Sequence, residues 1–536
     1  MKRLFSYKKL WLCLLASLIL GIILTLLDGK QNWINGWIAY SLLCATGLGS
    51  IFGLHHLLST SFPAERIALV AFSVRLFVGV LLMFLLPVYG YQDENAEVTK
   101  AGYVFYDAFI RDGQAWRLSV SSASPGTAFT GAYSGDQYGG LLALSATVYR
   151  YLSPDARRPI LILLLTSTIS AWGVLFLYKA AHAWFSEKIA LLVIWIFALY
   201  PESVLLGSSQ MREPFVITGV AMALYALTEM QKTRIKWLVW LALAGMLLFI
   251  FQPPMALATF IGLFGLWLSE PNRKISWKRV LLFVGIILVG VLIVYTIWAD
   301  LPSLRHAAPN NVFFTWLEHN FNFQAYLTRK ASGTIQKLIR SVGKQWSLLI
   351  MLGYGVTRPV LPAALADFSG LWIWRIINII RSAGWYALLP ILIYGLFSSF
   401  RVPTLERRAQ LVWASIFIWI WILISAANGG ADLWDNPRYR TIFLGLEALL
   451  AAWALEWARK HHDPWLSRLL SVELACVLVF TEWYITRTYL TYLHPDIRLV
   501  IGLCLILIVL VVGGGWLLDR KKRNIIRPVQ TSVREE

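Results

Sequence analysis

Charge is what this sequence has least of. Of its 536 residues only 14% are Asp, Glu, Lys or Arg, where an ordinary soluble domain carries about a quarter. Hydrophobic residues make up 58% and the mean hydropathy is +0.62. That balance excludes a soluble enzyme, a disordered chain and a nucleic-acid module, so no nucleic-acid partner is expected. Cysteine is also scarce. Cys13, Cys44, Cys476 and Cys504 all lie inside apolar runs, which leaves neither a disulfide framework nor a thiolate metal set. Asp-x-Asp, His-Glu-x-x-His and clustered His-Cys patterns are missing, and no internal repeat is visible.

What the chain has in quantity is long apolar runs. They fall at 10–27, 35–57, 66–88, 160–183, 188–206, 213–230, 236–251, 254–269, 280–298, 384–400, 409–427, 439–457, 469–485 and 499–518. Spans of about 20 residues each predict an all-α polytopic membrane protein with about 13–14 transmembrane helices, its extracytoplasmic loops carrying short amphipathic surface helices. The stretch 346–362 is a further candidate, interrupted by Arg358, Pro359 and Pro362. The basic segment Met1–Lys9 and the run after it lack a small-residue cleavage site at Asp28-Gly29-Lys30, and so read as an uncleaved first span.

The excess of 48 basic over 29 acidic residues divides by loop. Every second loop is basic, from Lys188 through Lys232–Lys236 and Arg273–Arg279 to Arg401–Arg408, Arg459-Lys460 and the tail at Arg520–Arg523. That alternation obeys the positive-inside rule, with both termini cytoplasmic in an inner (plasma) membrane. Trp33, Trp37, Trp184, Trp237 and Trp385 stand at span ends as interfacial anchors. Sequence position suggests four segments: two extra helices over 1–62, a transmembrane module over 63–300, an outward basic loop over 301–383, and C-terminal helices with a basic tail over 384–536.

The outward loops 89–159 and 299–383 are longer than hairpin turns require, which points function to that face. In the first, Asp93 and Glu94 stand directly after the third span, where carboxylates are costly unless solvated or in use. Ala101, Val104, Phe105, Ala108 and Phe109 then recur at helical spacing among Glu97, Lys100, Asp107 and Arg111, predicting a helix lying on the membrane surface. Capping of that helix by Asp93 and Glu94 is the plainer alternative. A Ser- and Gly-rich stretch holding Asp136 follows, and a short apolar helix over 141–152 returns to the fourth span. In the second loop nine Lys or Arg face only Asp300, Glu318 and Asp367, against the topological trend. Lys330, Lys337 and Lys344 repeat every seven residues with Arg340 beside them, as in a basic amphipathic helix for anionic lipid. Arg438 and Arg440 stand at an outward span mouth, placed either to hold phosphate or to pair with Asp432 or Asp435. Arg212 and Glu213 are expected to pair with each other or with Glu202.

The ordered set of motifs resembles the GT-C superfamily of membrane glycosyltransferases, and within it bacterial protein O-mannosyltransferases and lipid A aminoarabinose transferases. The matching residues are Asp93-Glu94, Tyr133-Ser134-Gly135-Asp136, Tyr149-Arg150-Tyr151-Leu152, Arg157-Arg158-Pro159, Tyr178-Lys179-Ala180-Ala181 and Trp184-Phe185. Tyr200-Pro201-Glu202, Gln210-Met211-Arg212-Glu213-Pro214 and the late Asp435-Asn436-Pro437-Arg438-Tyr439-Arg440 continue the series. The likeness spans 63–300 and the late motif. It departs at Gln137-Tyr138-Gly139-Gly140, where close relatives have Lys-Pro or Pro-Pro, and in the two extra N-terminal spans. The resemblance implies transfer of a sugar from a polyprenyl-phosphate donor to a glycan, lipid or protein acceptor, generally with inversion. Asp93 would then be the base, Asp136 or Glu94 would position the acceptor or share that role, and Arg438, Arg440, Lys330, Lys337, Arg340 and Lys344 would hold the donor phosphate. No cofactor follows from these residues. Some superfamily members use a divalent cation, and a carboxylate site at Asp93 and Asp136 stays open. The rival class is a transporter or flippase of lipid-linked saccharide, for which Arg75, midway along a span, is the clearest candidate.

Overall fold

The computed structural model describes residues 7–91, 96–130, 133, 135–230, 235–270, 333–403, 407–428, 434, 436–490 and 495–532, with a few helical positions between 281 and 292. The chain is an all-α polytopic membrane protein. Among the described residues nine helices are long and apolar enough to cross a membrane, or ten if one bent pair counts as a span.

The chain forms two compact units. Residues 1–322, 402–421 and 435–452 make the first, and 323–401, 422–434 and 453–536 the second. In the first unit α1 (Tyr7–Asp28) and α2 (Trp33–Leu58) form a hairpin that packs tightly at Gly21, where a Cβ would overlap Ser41 Oγ. Small residues let helix backbones approach this closely in a membrane. The hairpin is followed by α3 (Phe62–Tyr89), the short α4 (Ala96–Lys100), α5 (Tyr106–Val120), α6 (Gly140–Leu152) and α7 (Ile160–Trp184). After α7 come α8 (Glu187–Leu199), α9 (Pro201–Gly207), α10 (Glu213–Glu229), α11 (Lys236–Phe251) and α12 (Pro253–Leu268).

The second unit holds α13 (Gly333–Val342), α14 (Ser347–Thr357), α15 (Leu361–Ala366) and α16 (Trp372–Ser399). Helices α17 (Arg408–Asn428) and α18 (Leu444–Lys460) are divided between the units, and α19 (Pro464–Tyr489) and α20 (Ile497–Ser532) belong to the second.

Several expected spans come out shorter, for reasons of chemistry. Helices α11 and α12 are 16 residues each, about 24 Å at 1.5 Å per residue, less than the roughly 30 Å hydrocarbon core. Helix α10 is buried along its whole length, a core helix rather than a lipid-facing one. The 346–362 stretch yields only the 11 residues of α14, ending before Arg358-Pro359. The run 280–298 lies largely outside the described residues. Of the expected aromatic anchors, Trp33 is exposed, but Trp385 is fully buried and donates its indole N–H to Val356 O at 2.7 Å.

The run 188–206 breaks at Tyr200-Pro201, and α8 and α9 meet at 55°. Proline has no N–H, so the carbonyl four residues back, Phe197, loses its helical donor, and the bend takes the donor from Ala198. Arg75 of α3 supplies both. It donates to Ala198 O at 2.8 Å, Phe197 O at 3.4 Å and Ser203 Oγ at 2.9 Å, and to Ala71 O in its own helix at 3.1 Å. Gly207 makes room, since a Cβ there would lie 2.5 Å from Arg75 Cδ. The cation also meets the negative end of the α8 dipole. This mid-span arginine is therefore bound to backbone, as the cap of a broken helix.

Candidate functional site

In the first unit the segments around α5 bring six ionised side chains together. The expected single surface helix is two pieces, α4 and α5, separated at Gly102. There φ is +82°, and a Cβ would meet the Met83 carbonyl oxygen at 2.7 Å. Helix α5 also presents its charges differently from the expectation. Arg111 and Asp112 share the buried face with Ala108, Ala115 and Leu118, where a surface helix would have turned them to water.

Arg111 Nε stands 3.7 Å from Asp136 Oδ2, and Arg212 Nη1 stands 3.5 Å from Asp136 Oδ1. Arg438 donates from Nη2 to Asp107 Oδ2 at 2.8 Å, and its Nε is 3.7 Å from Glu213 Oε1. Arg111, Asp136, Glu213 and Arg438 are buried, while the Asp107 side chain is 42% exposed and forms the open edge. Two tyrosines flank the group, Tyr138 with the Arg212 guanidinium 5.0 Å from its ring centre and Tyr439 with that of Arg438 at 5.1 Å. Arg212 sits at the N-terminus of α10, and Asp136 just before that of α6. Arg438 lies in a 3₁₀ segment, Asn436–Phe443, leading into α18. Helix N-termini and guanidinium groups together favour an anion. The contacts to Asp136 and the one to Glu213, at 3.5–3.7 Å, are ion pairs longer than hydrogen bonds. Among the described residues, Glu213 Oε2 and Asn436 Nδ2 are buried without a hydrogen-bond partner.

The titration behaviour follows from these contacts. Burial pushes the Asp107 carboxyl up, but Arg438, by charge and hydrogen bond, with Arg111 and Arg212 behind it, carries it below its usual value. Desolvation lowers Arg111, with Asp136 opposing. Burial raises Tyr138, against the pull of Arg212.

The structure scatters the sequence-designated residues. Asp93, Glu94 and Lys330 lie outside the described residues. Asp136 is held as a capping residue: its oxygens accept from the backbone N–H of Tyr138, Leu141 and Leu142 at 3.3, 3.1 and 3.1 Å. Between two guanidinium groups and three amides its surroundings do not fit a divalent cation. Among the described residues no group of three His, Cys, Asp or Glu is arranged to hold a metal. Arg438 joins the cluster, whereas Arg440, also buried, hydrogen-bonds Tyr200 and faces Glu447. Asp432 and Asp435, the partners expected for these arginines, lie outside the described residues. Arg212 and Glu213 do not follow the pairing expected of them, because they face Asp136 and Arg438.

Lys337 and Arg340 are exposed on α13 in the second unit. That helix runs only from Gly333 to Val342 and stops at Gly343, with φ +112°. Lys344 begins a separate 3₁₀ turn, so the seven-residue lysine repeat is not one helical stripe.

Neighbouring polar residues support the cluster. Asp112 accepts from Tyr103 Oη and Arg157 Nε, each at 2.6 Å, and from Tyr149 Oη. Arg150 donates to the carbonyls of Leu118, Ser119, Ser121 and Ala123, closing the C-terminus of α5. Asp107 and Arg111 are functional candidates that sequence reasoning placed on a solvated face. The available signal was Arg111 recurring in step with Ala108, Ala115 and Leu118.

Fold and site together define a multi-pass, all-helical membrane protein with a buried arginine–carboxylate cluster. No protein-family model matches the chain, and no curated protein matches it in sequence.

Proposed function

We propose that this chain is an integral membrane glycosyltransferase of the plasma (inner) membrane. It moves a sugar from a polyprenyl-phosphate donor to an acceptor on the extracytoplasmic face, and both its termini are cytoplasmic. The observation that carries the reading is the convergence of Arg111, Arg212 and Arg438 on Asp136, Glu213 and Asp107, with Arg212 at the N-terminus of α10 and the half-buried Asp107 as the open edge. A lipid phosphate displaces Asp107 from Arg438 and gains charge-assisted hydrogen bonds to guanidinium. In the transfer the acceptor oxygen bonds to the anomeric carbon and its proton passes to Asp93. The bond from that carbon to the phosphate oxygen breaks, and the electron pair leaves with the phosphate. The arginines stabilise that departing anion, so no general acid is needed.

The test is sugar transfer by the purified protein from a polyprenyl-phosphate donor, with Arg438→Gln and Asp93→Asn beside it. Loss of transfer in both variants, with the fold kept, is expected. Full activity in Asp93→Asn removes that residue as base, and full activity in Arg438→Gln removes the cluster as the phosphate site.

The bent α8–α9 pair favours a second reading, because transporters place broken helices at their substrate sites. Its free carbonyls are, however, occupied by Arg75. Transbilayer movement of a lipid-linked saccharide without transfer would favour this reading.

A further inference from the structure

The second unit contains a cavity of about 520 Å³, within the range of small-molecule sites. It lies where α13 meets the start of α20 beside the end of α19. Its charged lining is Lys337, Arg487 and Arg498 against one acid, Asp496. These three cations come from three separate helices, and only Lys337 was marked by the sequence. Helix α13 is positioned by its apolar side: Ile335 and Ile339 pack with Met351, which leaves Lys337 and Ser341, one turn apart, at the cavity.

The other wall is built around Trp483. Its indole N–H donates to Pro495 O at 2.9 Å, holding Pro495 against α19, and the Arg487 guanidinium lies 5.2 Å from its ring centre. Arg498 sits in the first turn of α20, so the positive end of that helix adds to the field. Arg498 holds Asp496, but both are well exposed, at 61% and 42%. Such a surface pair is worth little and yields to a stronger anion.

The helices that build this cavity also expose leucines, Leu474 and Leu478 on α19 and Leu499 and Leu503 on α20. In a membrane protein those are acyl-chain contacts on the same helices as the cationic, aromatic-walled cavity, with Leu499 next to the lining residue Arg498. We propose that this cavity binds a phosphate group carried by an anionic membrane lipid, with Lys337, Arg487 and Arg498 as the phosphate ligands. The site lies within the second unit and stands whether or not the protein transfers sugar.

The experiment titrates full-length protein in neutral detergent with short-chain phosphatidylglycerol, phosphatidylcholine and inorganic phosphate, reading bound ligand by native mass spectrometry. Phosphatidylglycerol is expected to bind more than about ten-fold tighter than either of the others. Basic groups near a lipid surface are worth about five-fold each in affinity. The triple variant Lys337→Gln, Arg487→Gln, Arg498→Gln should therefore bind about two orders of magnitude more weakly. Lys337 is exposed, so Lys337→Glu keeps the fold and alone should weaken binding by at least about ten-fold, a charge reversal counting twice. Unchanged affinity in that variant overturns the proposal. Inorganic phosphate binding as tightly as phosphatidylglycerol overturns the lipid source. Binding is measured without sugar transfer, so an inactive transferase still tests this site.

Discussion

Replacing Arg75 by methionine asks whether the mid-span cation is a backbone cap. Methionine fills much of the same volume but donates nothing. It leaves Phe197 O, Ala198 O and Ser203 Oγ without the donor that now serves them, in a region where Arg75 itself is fully buried. Each orphaned buried acceptor costs about 1–3 kcal/mol. The two carbonyls together predict a loss of about 2–6 kcal/mol, readable as reversible unfolding in mixed micelles. The sharper test couples this to Pro201→Ala, which restores an N–H four residues after Phe197. If Arg75 serves the break, the two substitutions are non-additive: Arg75→Met should cost at least about 1 kcal/mol less in the Pro201→Ala background. A loss below about 1 kcal/mol for Arg75→Met, or strict additivity, refutes the capping argument and returns Arg75 to the transporter reading.

Further predictions concern the polar residues around α5. Arg438→Gln should lower sugar transfer by at least about 100-fold, as expected for removing a charged donor from a developing anion, with thermal stability measured in parallel. Asp107 has a folded-state pKa below its unfolded value. Its contribution is thus present above the unfolded value of about 3.9 and lost as pH falls through the lower folded value. Asp107→Asn and wild type should accordingly differ by a constant amount from about pH 5 to 8 and converge in acid, as followed by unfolding against pH. Tyr149→Phe removes one hydrogen bond to the Asp112 carboxylate and should cost about 1.5–3 kcal/mol in the same unfolding assay. Arg158 is buried against Asp28 at 3.4 Å and donates to Gln31 O and Asn32 O. Arg158→Gln should loosen the N-terminal hairpin, giving faster proteolysis at residues 29–32 with the rest of the chain intact.

The helices were legible because a lipid-facing or core helix must be apolar over its whole length, a signal local in sequence. Arg75 and Pro201 were also visible, but not their connection, because the carbonyls that need a donor belong to a segment about 120 residues further on. Gly102 and Gly343 are helix ends that the spacing of neighbouring residues does not mark, since only the fold reveals where φ must be positive. Asp136 was identifiable as an unusual acid. Its capping role depends on how Gly139 and Gly140 start α6. Asp107 and Arg111 were misplaced because their partners Arg438 and Asp136 lie outside any periodic window. Spacing alone gave Lys337 its prominence, yet Arg487 and Arg498, its neighbours at the cavity, come from near the opposite end of the chain.

Asp107 and Arg438 are separated by 331 positions, and that separation imposes an order on biogenesis. When a ribosome has delivered α10, Glu213 is already at the head of its helix, while the 3₁₀ segment that brings Arg438 is still unmade. Until that segment is inserted, Asp107 and Glu213 lack the Arg438 guanidinium and are offset only by Arg111 and Arg212, a costlier state near hydrocarbon. The first unit is therefore closed from its far end: chains stopped before residue 436 should be unstable substrates for membrane quality control, and activity should begin only with the late helices in place.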